Sequence, residues 1–79
     1  MFEQLVHKER LEQDRKWGEQ NHEPVYWLVI LLEEIGELSR AIQEMGQHLE
    51  DAKYAETELV QVAAVAKAMW ESGKRNGWL

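Results

Sequence analysis

Apolar residues recur along this chain at helical spacing, and nowhere do they alternate for long enough to make a strand. Three segments carry the pattern. The first runs from about Phe2 to Lys16, where Phe2, Leu5, Val6 and Leu11 form a thin stripe amid dense charge, and it ends near Trp17-Gly18. The polar stretch GEQNHEP reads as a loop, and Pro24 suits the first turn of a second helix because its missing N–H would be unpaired there anyway. That helix spans Pro24 to Met45 and stops at Gly46. After a connection through Gln47 and His48, a third helix is expected from about Leu49 to Ser72, closed by Gly73, with the tail KRNGWL too short for another element. The predicted fold class is all-α: a long antiparallel helical hairpin plus a shorter N-terminal helix, in one domain over residues 1–79.

At about 100° per residue, Trp27, Ile30, Leu31, Leu38, Ala41, Ile42 and Met45 fall in one arc of the second helix. On the third, Ala55, Leu59, Val62, Val65, Ala66 and Met69 define the arc. Val60, Ala64 and Ala68 lie on its other side, where small residues let a further helix approach closely. That second face predicts a homodimer or homotetramer assembled as a four-helix-type bundle, with Trp70 and Trp78 packed in the core or against another subunit.

Composition narrows the partners. With 15 acidic against 9 basic residues, the formal net charge is −6, which disfavours sequence-independent binding to nucleic acid. There is no cysteine for a disulfide or a thiolate metal site. The opening MFEQLVHKER has charges where a signal peptide needs an unbroken apolar run, and no stretch is apolar over the roughly 18 residues of a membrane span. No membrane association and a cytoplasmic location are expected.

The informative feature is a set of carboxylates inside the apolar helices. Glu34 points into the arc of the second helix and Glu37 lies about 60° away at its edge; Glu58 falls just inside the arc of the third, with Gln61 about 60° further round. Each helix therefore presents an oxygen-bearing pair at i and i+3, neighbours on a helix surface. Glu37 lies nine residues before Gly46 and Glu58 twelve after it, so a short turn brings the two pairs to comparable height. Carboxylates gathered in a partly apolar place cannot all stay ionised without repulsion, and a hard divalent cation such as magnesium, or manganese in its place, resolves the conflict.

Glu34-Ile-Gly-Glu37 followed by Glu58-Leu-Val-Gln61 resembles the ExxE…ExxD signature of the MazG-like nucleotide pyrophosphohydrolases in the all-α NTP pyrophosphatase superfamily. The surrounding EEIGELSRAI, ETELVQVAAVAKAM and ERLEQDRKWGEQNHEP are similar to short phage and bacterial members, and the likeness covers most of the chain. It implies a magnesium-dependent hydrolase that cuts a nucleoside triphosphate between the α and β phosphates, giving monophosphate and pyrophosphate. By position, Glu34, Glu37 and Glu58 would ligate the metal and Gln61 would take the fourth ligand place. That place usually holds aspartate, so the neutral amide implies weaker metal binding and lower activity.

Phosphate chemistry then asks for a base to orient or deprotonate water, either Glu33 or Glu37, and for cations to meet the remaining charge, first Lys53, then Arg40 and Lys67. Trp17, His22 and Trp27 cluster around the loop and offer faces for a nucleobase, although Trp27 also belongs to the apolar arc. Glu33 is expected to face solvent, and His7 and His48 to be surface residues. The rival expectation is a non-catalytic helical module with the same fold that binds nucleotide or protein.

Overall fold

A computed structural model describes residues 1–46 and 52–79. The described residues form three α-helices and no strand: α1 (Phe2–Trp17), α2 (Pro24–Met45) and α3 (Ala52–Asn76). None is long and apolar enough to cross a membrane. The expected bounds of the first two hold to within a residue. Gly18 (φ 70°) ends α1, Pro24 occupies the first turn of α2, and Gly46 (φ 41°) terminates it. The expected connection through Gln47 and His48 and the expected start at Leu49 lie outside the described residues.

The end of α3 differs from expectation. Gly73 does not close the helix but sits buried inside it, and the first three residues of the supposed tail continue it to Asn76. Gly77 (φ 79°) takes the left-handed terminating position instead, and the Trp78 N–H returns to the Gly73 carbonyl at 3.0 Å, satisfying one of the orphan acceptors of the last turn. Gly73 serves close approach: a Cβ there would meet Leu79 Cγ at 2.6 Å.

α3 is the central element. It packs against both other helices, whereas α1 and α2 share no Cα pair within 8 Å. Contacts pair the beginning of α2 with the end of α3, as in the bond from Trp27 Nε1 to Ser72 Oγ (3.2 Å), and later α2 residues with earlier α3 ones. Trp27, 2 % exposed, packs with Val65 and Ala68 and is flanked by Ile30, Leu31, Met69 and Trp78. A second cluster joins Val6 of α1 to Val60 and Ala64.

These clusters correct the assignment of faces. The Val60 and Ala64 side of α3 is covered by α1 of the same chain, not left open for a second copy. Leu59 (47 % exposed), Ala66 and Ile42 (48 %) face outward instead of lying in the buried arcs. A helix flanked on two sides buries two stripes, and the α1 stripe takes the place that a single-arc reading gives to the Leu59 side. Trp70 is exposed, and Trp78 is partly buried against the core. The apolar surface left open lies on the outward side of α2, at Leu28, Val29, Leu32 and Ile35.

Ala64→Leu should lower stability by about 1–3 kcal/mol through overpacking under α1, while Ala66→Leu, on exposed surface, should leave it nearly unchanged. Urea unfolding followed by circular dichroism checks the pair; equal midpoints would place α1 elsewhere.

Candidate metal centre

Two i,i+3 relations and the packing of α2 on α3 build the centre. Glu34 and Glu37 leave α2 one turn apart, Glu58 leaves α3, and one carboxylate oxygen from each lies within 4.8 Å of the other two. Glu58 is only 6 % exposed, Glu34 is half-buried and Glu37 is exposed. Glu34 Oε2 and Glu58 Oε2 are buried with no hydrogen-bond partner. A buried acceptor without a donor is costly, and two of them facing a third carboxylate are more so.

The electrostatics follow from that crowding. Burial pushes the Glu34 carboxyl above the ordinary range, and the charges of Glu37, Glu58, Glu9 and Glu33 push it the same way. Glu58 is raised chiefly by burial, then by the charge of Glu37 and a hydrogen bond shared with it, against a smaller lowering by Tyr54. Both shifts have the same physical origin, the cost of holding negative charge at a crowded, partly buried place. The donor set is all hard oxygen, and orphaned buried oxygens are the groups a small divalent ion would satisfy, so the three glutamates fit magnesium or manganese.

The backbones of α1 and α2 are held apart, and a groove of about 280 Å³ opens between them over the surface of α3. Glu34 and Gln61 line it, as do Glu9, Gln13, Lys16 and Trp17 from α1. Gln61 thus shares a chamber with a carboxylate of the centre. Trp17, 60 % exposed, offers a ring there, with the Lys16 ammonium 5.4 Å from its centroid.

The other expected residues are placed differently. Trp27 touches the groove wall but its ring is almost wholly buried, and His22 packs against the rings of Tyr26 (4.6 Å) and Trp27 (5.0 Å) outside the groove lining. Glu33 and Arg40 are exposed on α2. Lys53 lines a separate cavity between α1 and α3 with Glu12 and Thr57, away from the carboxylates, so the lining cation of the groove is Lys16. Sequence reasoning missed Glu9, Gln13 and Lys16. The signal was present in their spacing at i, i+4 and i+7, which puts them near the Val6 side of α1.

A group whose pKa is higher folded than unfolded adds stability below its unfolded value, and that contribution is lost as pH rises through the folded value. With chelator present, the melting temperature should therefore fall relative to Glu34→Gln as pH climbs from about 4.3, the ordinary glutamate value, towards neutrality. Millimolar magnesium at neutral pH should raise the wild-type value and leave Glu34→Gln unmoved. Differential scanning fluorimetry across pH, with and without the ion, reads both effects. Comparison with protein-family models, curated proteins and solved structures finds no match, so the chemistry of this centre is to be argued from its own side chains.

Proposed function

We propose that the chain is a magnesium-dependent nucleoside triphosphate pyrophosphohydrolase of the MazG-like kind, acting in the cytoplasm and releasing nucleoside monophosphate and pyrophosphate. The observation that carries the reading is the convergence of Glu34, Glu37 and Glu58, with two orphaned buried oxygens, where Glu34 also lines a groove that holds an aromatic ring and a lysine. A bound divalent ion would supply charge neutralisation at the phosphate oxygens around the bond to be cut.

The chain's own residues have the remaining tasks. Glu34, Glu37 and Glu58 would hold the ion, and Gln61, which lines the same groove as Glu34, would offer a neutral carbonyl oxygen. Glu33 or Glu37, both exposed and therefore within reach of solvent, takes the proton of the attacking water. The water oxygen bonds to one of the two phosphorus atoms flanking the α–β bridge, and the bridging oxygen leaves with the departing phosphate group. Lys16 meets residual phosphate charge, and the exposed face of Trp17 stacks on the base.

In this reading α2 and α3 form an antiparallel hairpin whose uncovered side seats a second copy. Leu28, Val29, Leu32 and Ile35 are each at least 42 % exposed, and a helix apolar nearly all round is normally buried all round. The same patch favours the alternative, a non-catalytic module that binds nucleotide or a partner protein on this fold.

Incubation with magnesium and a panel of nucleoside triphosphates should yield monophosphate and pyrophosphate; diphosphate with free phosphate would mean a different bond is cut. Glu58→Gln should lower the rate by ~100-fold or more, since even outer-shell partners of metal ligands are worth that much. Leu32→Glu should convert the assembly to monomers, read by sedimentation velocity, and an unchanged sedimentation coefficient would exclude this face as the interface.

A further inference from the structure

Gln13 stands on the wall between two cavities, the groove and a larger space of about 720 Å³ that includes the start of the loop and the end of α3. A carboxamide carries its acceptor on one side and its donors on the other, and Arg10 fixes which is which. Arg10 Nη1 lies 3.1 Å from Gln13 Oε1, and a guanidinium only donates, so the oxygen faces Arg10. Arg10 is itself clamped. It is 9 % exposed, donates to Glu71 Oε1 from Nε (3.0 Å) and Nη2 (2.6 Å), and pairs with Asp14 at 3.0 Å. Arg10 lines the larger cavity and not the groove, whereas Gln13 lines both, and its NH2 lies on the side of the amide away from Arg10. That NH2 has no hydrogen-bond partner among the described residues.

We propose that Gln13 is a specificity-determining residue for the base of a nucleotide in the groove, donating to a carbonyl oxygen or bare ring nitrogen on the base edge, with Arg10 as its positioning residue. The inference rests on the nucleotide chemistry proposed above. Gln13 is one turn of α1 from Trp17, so a base stacked on that ring presents its edge within reach of the amide. The buried ion pairs of Arg10 keep the amide from flipping, which makes its donor character a fixed property of the wall.

The test is calorimetric titration of the magnesium-loaded full chain with nucleoside monophosphates, and with inorganic pyrophosphate as a probe that lacks a base. Gln13→Glu keeps the volume and an oxygen for Arg10 but sets an acceptor where the donor was; Gln13→Met removes both functions without adding charge. Gln13→Met should weaken monophosphate binding by ~10-fold and leave pyrophosphate affinity the same, while Gln13→Glu, whose added charge opposes any anionic ligand, should cost the monophosphate more than it costs pyrophosphate. Unchanged monophosphate affinity would overturn the assignment and leave the nucleotide reading standing. A parallel loss for pyrophosphate in Gln13→Met would also overturn it, because Gln13 would then act on phosphate or on the fold. A wild-type chain that binds no nucleoside monophosphate removes both proposals together.

Discussion

Three carboxyl groups held together, two of them with an oxygen cut off from water, impose the constraint on which the rest of this molecule depends. Glu34 and Glu58 each bury an oxygen that has no donor, and Glu37 stands beside them. In a domain of 79 residues, whose net stability is a small difference between large terms, an uncompensated cost of a few kcal/mol is a large fraction of the whole. Nothing in packing alone asks for carboxylates there; leucine would fill the same places at lower cost. Burial and mutual repulsion raise the pKa of Glu34 and Glu58, and a cation would offset the same repulsion by its charge.

What keeps the cluster from spreading is the rigidity of its surroundings. Trp27, two turns before Glu34, is locked by Val65, Ala68 and the bond to Ser72, which sets the register of α2 on α3 and so the height of Glu34 against Glu58. α1 is placed independently, through Val6 and through the Arg10–Glu71 pair. The loop between α1 and α2 is tied to the end of α3: Arg75 donates to the Gln20 carbonyl and the Asn21 side chain, and Asn76 donates to Asn21. The backbones of α1 and α2 stay apart, so their spacing across the groove is set through α3 and this clamp.

Much of this was legible in the chain. The period of apolar positions placed α1 and α2 almost to the residue, because Gly18, Pro24 and Gly46 mark their ends by backbone geometry, which is a local property. The convergence of Glu34, Glu37 and Glu58 was legible too, since helical phase and loop length are enough to bring them together. What could not be read was partner choice. Phase tells which residues share a face but not which helix covers it, so the Ala64 side was assigned to a second copy when α1 covers it. Gly73 reads as a stop by propensity, yet the contact with Leu79 and the clamp by Arg75 and Asn76, all tertiary, carry the helix past it. Lys53 failed as a groove residue for a related reason: five residues from Glu58 is about 140° around the helix, towards the α1 side.

The neutral residue at position 61 bears on how charge would be balanced. Three ionised glutamates and one divalent ion sum to −1, whereas an aspartate at Gln61 would make the sum −2. A triphosphate carries several negative charges of its own, so each extra carboxylate both strengthens the hold on the ion and repels the substrate that must join it. In a centre of that kind Gln61 would shift the balance towards the nucleotide. Under the proposed chemistry the free centre would hold magnesium weakly, and the phosphate oxygens of an incoming nucleotide would supply the ligands the protein lacks, so that ion and substrate bind as one unit.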